Sequence, residues 1–580
     1  MAVCAIALSV FNSNAAVYTA SASGAFTSPG TWPGGIVPPT NMSADTIEIP
    51  PGITITLSAD LVLSGTGNAN VLEVDGLLSA PANTLTISGV RIDGVGDIML
   101  DSLSGNLSGN KFAFSGNMTV NRMSDSRLYS TGGGDIIIAD ILYLKDTLSI
   151  ATGTLVMQPG SKFHITGATG KPTMLKISPI GNLSLPAVYD VEYYGKPLTT
   201  GMEISGSGLR HLTLDMDTIT TVVSISRGVA TNGKLYLKRG TLNLNGLDLV
   251  IRDDFQADSG SGIRSSYASD ISILSPMQHS GPLVFRPGGD TVKNLVINSN
   301  SNIVMGSTVS IARNLSLVKG KIELNKNNMF FIPGSTVSNA GPASYVITGD
   351  SAYVSTNRYT AGNFDFPVGT AGGYAPCSIT LNQNDTAYRN MRVRVSPGVK
   401  SMGSTGNDMA VQQPMVNATW FLSFQNEKNT NMDITMAWEG KLEVNSFDRS
   451  TAYMSHYVNN YWLYLPGGKV TPQGMLHSIS RTAVTATGPF AVFDANTVTV
   501  ENVVTQTAIN IYPNPATQLL YADVQQPAQA LIYNAAGQVV SNTQIDAANK
   551  SINVAALPPG MYIIKLAGDE LNAIGRFVKQ

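Results

Sequence analysis

A chain of 580 residues exceeds what one compact core can fill and so calls for several modules. Only 13% of its residues are charged and the formal net charge is -3, which excludes the basic field that a nucleic-acid backbone would require. The 56 Gly would spell disorder if apolar residues were scarce, but these make up 43% and fall in short alternating runs. No stretch of ten or more residues carries a helical apolar period. The expected fold is therefore all-β, built of many short strands joined by tight turns.

The first residues, MAVCAIALSVFNSNAA, hold an apolar run too short to span a bilayer, then small residues with Ser13 and Ala15 placed for cleavage before Ala16. Residues 1–15 are expected to form a secretory signal, although no Lys or Arg precedes the run. Cys4 would leave with the signal. Cys377, then alone, cannot form an internal disulfide and is expected as a small apolar residue inside a strand. No later segment approaches 18 consecutive apolar residues, so the mature chain is expected to lack a transmembrane helix.

Residues 16–340 are rich in Leu-x-Leu and Ile-x-Ile pairs separated by Gly, Asn and Ser. The run from Lys234 to Asn245, with Leu235, Leu237, Gly240, Leu242 and Leu244, matches the run from Asn314 to Asn325, with Leu315, Leu317, Gly320, Ile322 and Leu324, at an offset of 80 residues. Strands this short bury too little surface alone, whereas stacked equivalents make one continuous core. A capped parallel β-solenoid, or β-helix, follows, with Gly or Asn at the corners. A series of antiparallel sandwiches would show the same alternation, but the spacing between matching strands is longer than hairpins need. Residues 24–57 resemble the opening of many secreted β-helix proteins, and there Trp32 is expected to plug the first rung rather than to stack on a sugar.

From 341 to 500 the strands become longer and more aromatic, as in Trp420-Phe421-Leu422-Ser423-Phe424 and Met432-Asp433-Ile434-Thr435-Met436-Ala437-Trp438. Strict alternation with one polar face suits an antiparallel β-sandwich. Residues 344–380, with the solenoid repeats before them, resemble a module arrangement common in large exported proteins of the Gram-negative phylum that uses type IX secretion.

Residues 501–580 contain three motifs in order: Tyr512-Pro513-Asn514-Pro515, then Asn534-Ala535-Ala536-Gly537, then Leu557-Pro558-Pro559-Gly560-Met561-Tyr562-Ile563-Ile564-Lys565. Each has a local meaning. The prolines stiffen the first segment, the Asn-Ala-Ala-Gly run makes a turn, and Pro-Pro-Gly bends the chain into a final strand, Tyr562-Ile563-Ile564-Lys565-Leu566. Together they resemble the type A C-terminal sorting domain of type IX secretion, with Tyr512, Pro513, Asn514, Pro515, Gly537, Leu557, Gly560, Tyr562 and Lys565 as its signature. The resemblance implies a small immunoglobulin-like β-sandwich, export through the periplasm, and an extracellular or outer-membrane surface location. It also implies the type IX machinery and, after sorting, surface lipopolysaccharide as partners.

No catalytic constellation stands out, no cofactor is expected, and the sequence leaves metal binding undecided. A glycosidase would need two carboxylates flanking a bond. Asp253-Asp254 is the only adjacent acidic pair of note in the solenoid region, without a nearby His or Lys/Arg set resembling the pectinase pattern, and a solvated turn accounts for it. Asp75, Asp93, Asp97 and Asp101 match no calcium-loop spacing, and polar corners explain them equally well. Tyr457 and Tyr461-Trp462-Leu463-Tyr464 are expected as sandwich core rather than a sugar platform. Asp-Ser/Thr-apolar triplets place candidate acceptors at Thr46, Ser102, Thr147, Thr218, Thr291, Ser351 and Thr386. They resemble the O-glycosylation acceptor of the same phylum, although strand-start turns also favour Asp-Thr. The expected function is a structural or adhesive surface protein, not an enzyme. The alternative is a polysaccharide-acting or carbohydrate-binding protein that contacts extracellular glycans, which would need acidic and aromatic side chains clustered on one outer face.

Overall fold

The computed structural model describes residues 15–495 and 509–580, apart from 67–68, 107–111, 126–128, 131, 146–147, 169–174, 178–181, 359, 385–388, 426–430, 466–467, 536 and 568–571. The expected signal segment, save its last residue, lies outside the described residues, as does Cys4. Among the described residues the only regular elements besides strands are five single turns of 3-10 helix, and turns and loops make up the rest. The chain divides into two compact units that part after Asp494.

The first unit opens as a parallel β-solenoid of about 14 turns. In the clearest rungs three short strands follow one another, one to each face. Val229–Thr231, Leu235–Arg239 and Thr241–Asn243 lie in parallel register beside Leu249–Ile251, Phe255–Ala257 and Gly262–Arg264. The Leu-x-Leu pattern has a direct cause here: Leu235 and Leu237 point inward and are buried, while Tyr236 between them faces out. Rungs advance by 18 residues, where Met118 lies beside Ile136, to 31, where Gly24 lies beside Ile55 at the N-terminal end. The 80-residue offset between the matched segments is thus four rungs, whose first strands begin at Val229, Leu249, Asp270, Thr291 and Val309.

At one corner Gly76, Gly96, Gly116, Gly134 and Gly153 form a column, one per rung. A Cβ on any of the last four would overlap the carbonyl oxygen of the glycine one rung before it, so the backbones approach more closely than any other residue allows. At the N-terminal end Trp32 sits between two 3-10 turns, Pro29–Thr31 and Pro33–Gly35. It is only 2% exposed, and its indole N–H donates to the Phe26 carbonyl at 2.7 Å.

Parallel pairing runs past residue 340, through Val346–Ile347 to Val368–Gly369. The strand Val354–Arg358 joins two architectures: it pairs in parallel with Met329–Phe331 and antiparallel with Arg389–Pro397. Antiparallel sheets then continue the first unit. One carries Arg389–Pro397, Ala418–Gln425, Gly488–Phe493, Tyr453–Val458 and Tyr461–Leu465, and the other Gly362–Phe366, Cys377–Leu381, Met432–Glu439, Leu476–Val484 and Thr471–Gln473. Trp420, Trp438, Phe366 and Phe490 are buried in this part, within one hydrophobic cluster that extends from Ala20 to Val492. Cys377 is buried in its strand, and burial pushes its thiol pKa far above the ordinary value.

The second unit is a small antiparallel sandwich. A three-stranded sheet of Ile511–Tyr512, Leu519–Ala522 and Ser551–Asn553 accompanies a four-stranded sheet in the order Val539–Ile545, Ala528–Tyr533, Gly560–Ala567, Asn572–Lys579. Leu520, Ile532, Ile564 and Phe577 form part of its own core.

Candidate functional site

In the second unit the first motif is tied to the last strand. Pro513 and Pro515 have no N–H to offer a sheet, and both peptide bonds leading into them are cis. Asn514 between them makes the connection: its Nδ2 donates to the Arg576 carbonyl at 3.1 Å, and its Oδ1 accepts from the Val578 N–H at 2.8 Å. The Ala516 N–H adds a bond to the Val578 carbonyl at 2.8 Å. Tyr512 stacks on Tyr521 and stays 53% exposed. Gly537, at φ +77°, closes the turn in which the Gln538 N–H donates to Asn534 Oδ1 at 3.0 Å. Leu557 packs against the core, and Gly560 opens the strand that carries Tyr562. The Tyr562 hydroxyl donates to the Pro558 carbonyl at 2.9 Å while its ring stacks on Phe577. Lys565 lies half-buried opposite Ile574, beside an outer face on which Met561, Ile563, Ile574 and Val578 are exposed.

Residues 510–580 match the family model described as the secretion system C-terminal sorting domain. The chain carries a type IX sorting domain. The sorting domain implies an interaction with the type IX secretion machinery, export, and a surface or extracellular location. No curated protein and no solved structure matches the chain.

Away from the sorting domain, polar chemistry gathers on one outer face of the solenoid. In parallel register, Thr86, Ser104, Ser124, Tyr143, His164, Glu192, Thr213, Tyr236 and Gln256 form one row across successive rungs. The row begins with small hydroxyls and becomes aromatic and charged at Tyr143. His164 stacks on Tyr194 with ring centres 4.1 Å apart, and Tyr143 lies 4.9 Å from His164. Glu192 accepts from Lys162 Nζ at 2.7 Å and from the Tyr194 hydroxyl at 2.8 Å, while His164 Nδ1 stands at ion-pair distance, 3.7 Å. Chiefly through His164, and then through Lys162 and Tyr194, its carboxyl is held down at about 2 against the opposing effect of partial burial.

The neighbouring charges are balanced. Arg210 grips Asp190 through two nitrogens at 2.9 and 2.6 Å, Lys238 and Arg239 meet Asp215 at 2.9 and 2.6 Å, and Lys234 stands 3.4 Å from Asp254. With Asp258, bound by the Tyr236 hydroxyl, and the Lys162–Glu192 pair, five carboxylates face five cations.

Asp253-Asp254 lies in a bend just before Phe255–Ala257, and the fold supplies basic and polar neighbours that are distant along the chain. Lys234 comes from the preceding rung. Ser280 donates to Asp254 from its N–H at 2.6 Å and from its hydroxyl. His279 beside it stacks on Phe255, and burial lowers its pKa. A cavity of about 450 Å³ opens next to His279, bordered by Met305, Asn325 and Asn327.

Asp75, Asp93 and Asp101 serve local contacts: Asp75 accepts from the Val95 N–H, Asp93 pairs with Arg91, and Asp101 pairs with Arg122. Among the described residues no group of three or more ligating side chains could hold a metal ion. The acceptor triplets do not cluster. Thr218 and Ser351 are exposed in turns, Thr46, Ser102 and Thr291 are half-buried within strands, and Thr147 and Thr386 lie outside the described residues. Beside Thr46, Asp45 is buried and accepts from the Ala16 and Ser43 N–H groups, as a strand-start turn requires. The expected core role of the 461–464 run holds only for Trp462, whose indole donates to the Lys400 carbonyl at 2.9 Å. Tyr461 and Tyr464 are 53% and 58% exposed, because Tyr461–Leu465 is an edge strand paired with Tyr453–Val458 alone.

Proposed function

We propose that the chain is a non-catalytic structural or adhesive scaffold, taken into the periplasm by a signal at 1–15 and then displayed at the cell surface through its sorting domain. The observation that supports this reading is the sorting domain at 510–580 behind a unit of stacked parallel rungs, an architecture that offers long continuous faces to a partner. On this reading the sorting domain is recognised folded and removed near residues 496–506. The cargo is then joined to surface lipopolysaccharide, which acts as its anchor, and extracellular glycans are its contacts.

Truncation and transfer test the reading together. A chain ending at Val500 is expected to accumulate in the periplasm, because the first unit has its own core. Residues 501–580 behind an unrelated reporter with its own signal peptide are expected to carry that reporter to the surface of a type IX-competent cell, read by protease shaving of intact cells. A truncated chain that reaches the surface at normal levels overturns the reading. For the adhesive role, cells lacking the displayed chain should attach less well to polysaccharide-coated surfaces than cells carrying it.

A further inference from the structure

We propose that the aromatic stretch of the solenoid's outer face, centred on Tyr143, His164, Glu192 and Tyr194, binds an uncharged polysaccharide laid across the rungs. The proposal rests on the adhesive reading above and names its partner.

Three observations carry it. First, stacking of rungs does not require aromatic rings at this position, since the same row is filled by Thr86, Ser104 and Ser124 on the earlier rungs. From Tyr143 onward the row gains half-exposed rings in mutual contact, with His164 between Tyr143 and Tyr194 at 4.9 and 4.1 Å. His164 packs against both tyrosine rings, and the outward parts of Tyr143 and Tyr194 that stay half-exposed offer apolar ring area to the C–H faces of a pyranose. Second, hydrogen-bonding groups stand at the same place. Glu192 is held in one orientation by Lys162 and the Tyr194 hydroxyl, and its carboxylate has further acceptor capacity for sugar hydroxyls. Successive rungs place one polar or aromatic side chain of this row about every 4.8 Å, close to the length of one hexose unit.

Third, the charges select the class of ligand. Every cation named on this face already has a carboxylate partner, so the face has neither the surplus positive charge that an acidic polysaccharide or nucleic acid needs nor a surplus negative charge. A neutral polyhydroxylated chain is the ligand such a surface accepts.

The test is affinity electrophoresis of the full chain in native gels cast with soluble neutral glucan, xylan or mannan, and in parallel with polygalacturonate. Retardation by at least one neutral polysaccharide is expected, and none by polygalacturonate. Tyr194→Ala and His164→Ala should each weaken it about tenfold. Tyr194→Phe, which keeps the ring, should remain within about threefold of the parent, as should Ser104→Ala on the hydroxyl part of the row. If an alanine variant fails to fold, Glu192→Gln preserves shape and is expected to weaken retardation at least about threefold. The proposal is overturned if no neutral polysaccharide retards the parent chain, if polygalacturonate alone does, or if the ring and Glu192 variants all behave as the parent. A chain that is displayed on cells yet binds no polysaccharide sinks this inference and leaves the export reading intact, whereas failure of display sinks the latter.

Discussion

The solenoid and the sorting sandwich hold themselves together over different distances. In the solenoid a strand pairs with neighbours 18 to 31 residues away, and the same kind of contact is renewed at every rung. In the sorting sandwich Asn514 reaches Arg576 and Val578, 62 and 64 residues further on, so the first motif and the last strand close on each other. Stability is spread along the first and concentrated at a seam in the second. A fault in the solenoid should therefore stay near its rung, and a fault at the seam should open the whole small domain.

The largest expected effect is at the glycine column. Gly116→Ala places a Cβ onto the Gly96 carbonyl and should cost about 3 kcal/mol, while Gly133→Ala, whose Cβ meets nothing, should stay within about 0.5 kcal/mol. Hydrogen exchange of the full chain checks this: protection should fall in the rungs around Gly96, Gly116 and Gly134 and persist in Val309–Lys319. Loss throughout the solenoid would break the contrast with the sandwich.

Next comes the seam. Asn514→Ala removes the donor to the Arg576 carbonyl and the acceptor for the Val578 N–H, and should lower the stability of the sorting domain by about 1–3 kcal/mol. Exchange at Val578, Tyr562 and Ile532 should rise together, and secretion should drop in step. Faster exchange at Val578 alone would show that the seam frays without opening the core.

The smallest effect is electrostatic. Glu192 has a carboxyl held at about 2 in the folded chain, below the ordinary value of about 4.3, so it stabilises the fold above the ordinary value and that contribution fades as pH falls toward 2. Because the group is partly exposed, the gain is under about 1 kcal/mol. Urea unfolding between pH 5 and 2.5 should show a slightly shallower acid loss in Glu192→Gln than in the parent.

What the sequence discloses follows from how far apart the interacting residues lie. Tyr512, Pro513, Asn514 and Pro515 are contiguous, so the sorting signature is visible without a fold. Alternation within each short strand likewise reveals an inward and an outward side, and the longer spacing between matches points to stacked parallel rungs. The aromatic face stays hidden because Tyr143, His164 and Glu192 become neighbours only once the register is known. A signal was nonetheless present: the middle residue of Leu142-Tyr143-Leu144, Phe163-His164-Ile165, Val191-Glu192-Tyr193 and Leu235-Tyr236-Leu237 is the outward one in every case. The rung length escapes for a related reason, since each rung repeats apolar-x-apolar on several faces and the clearest match spans four rungs. His279 and Ser280 approach Asp254 through a turn of the solenoid, which no local motif records.

The strand Val354–Arg358, parallel on one side and antiparallel on the other, has a consequence for reach. It fixes one end of the ladder to a folded block, so length becomes an adjustable quantity. About 14 turns at about 4.8 Å each span roughly 65 Å, and inserting or deleting one rung upstream would shift the far tip by a single increment without disturbing the block. A protein built this way can be tuned like a spacer, its reach set by the number of rungs.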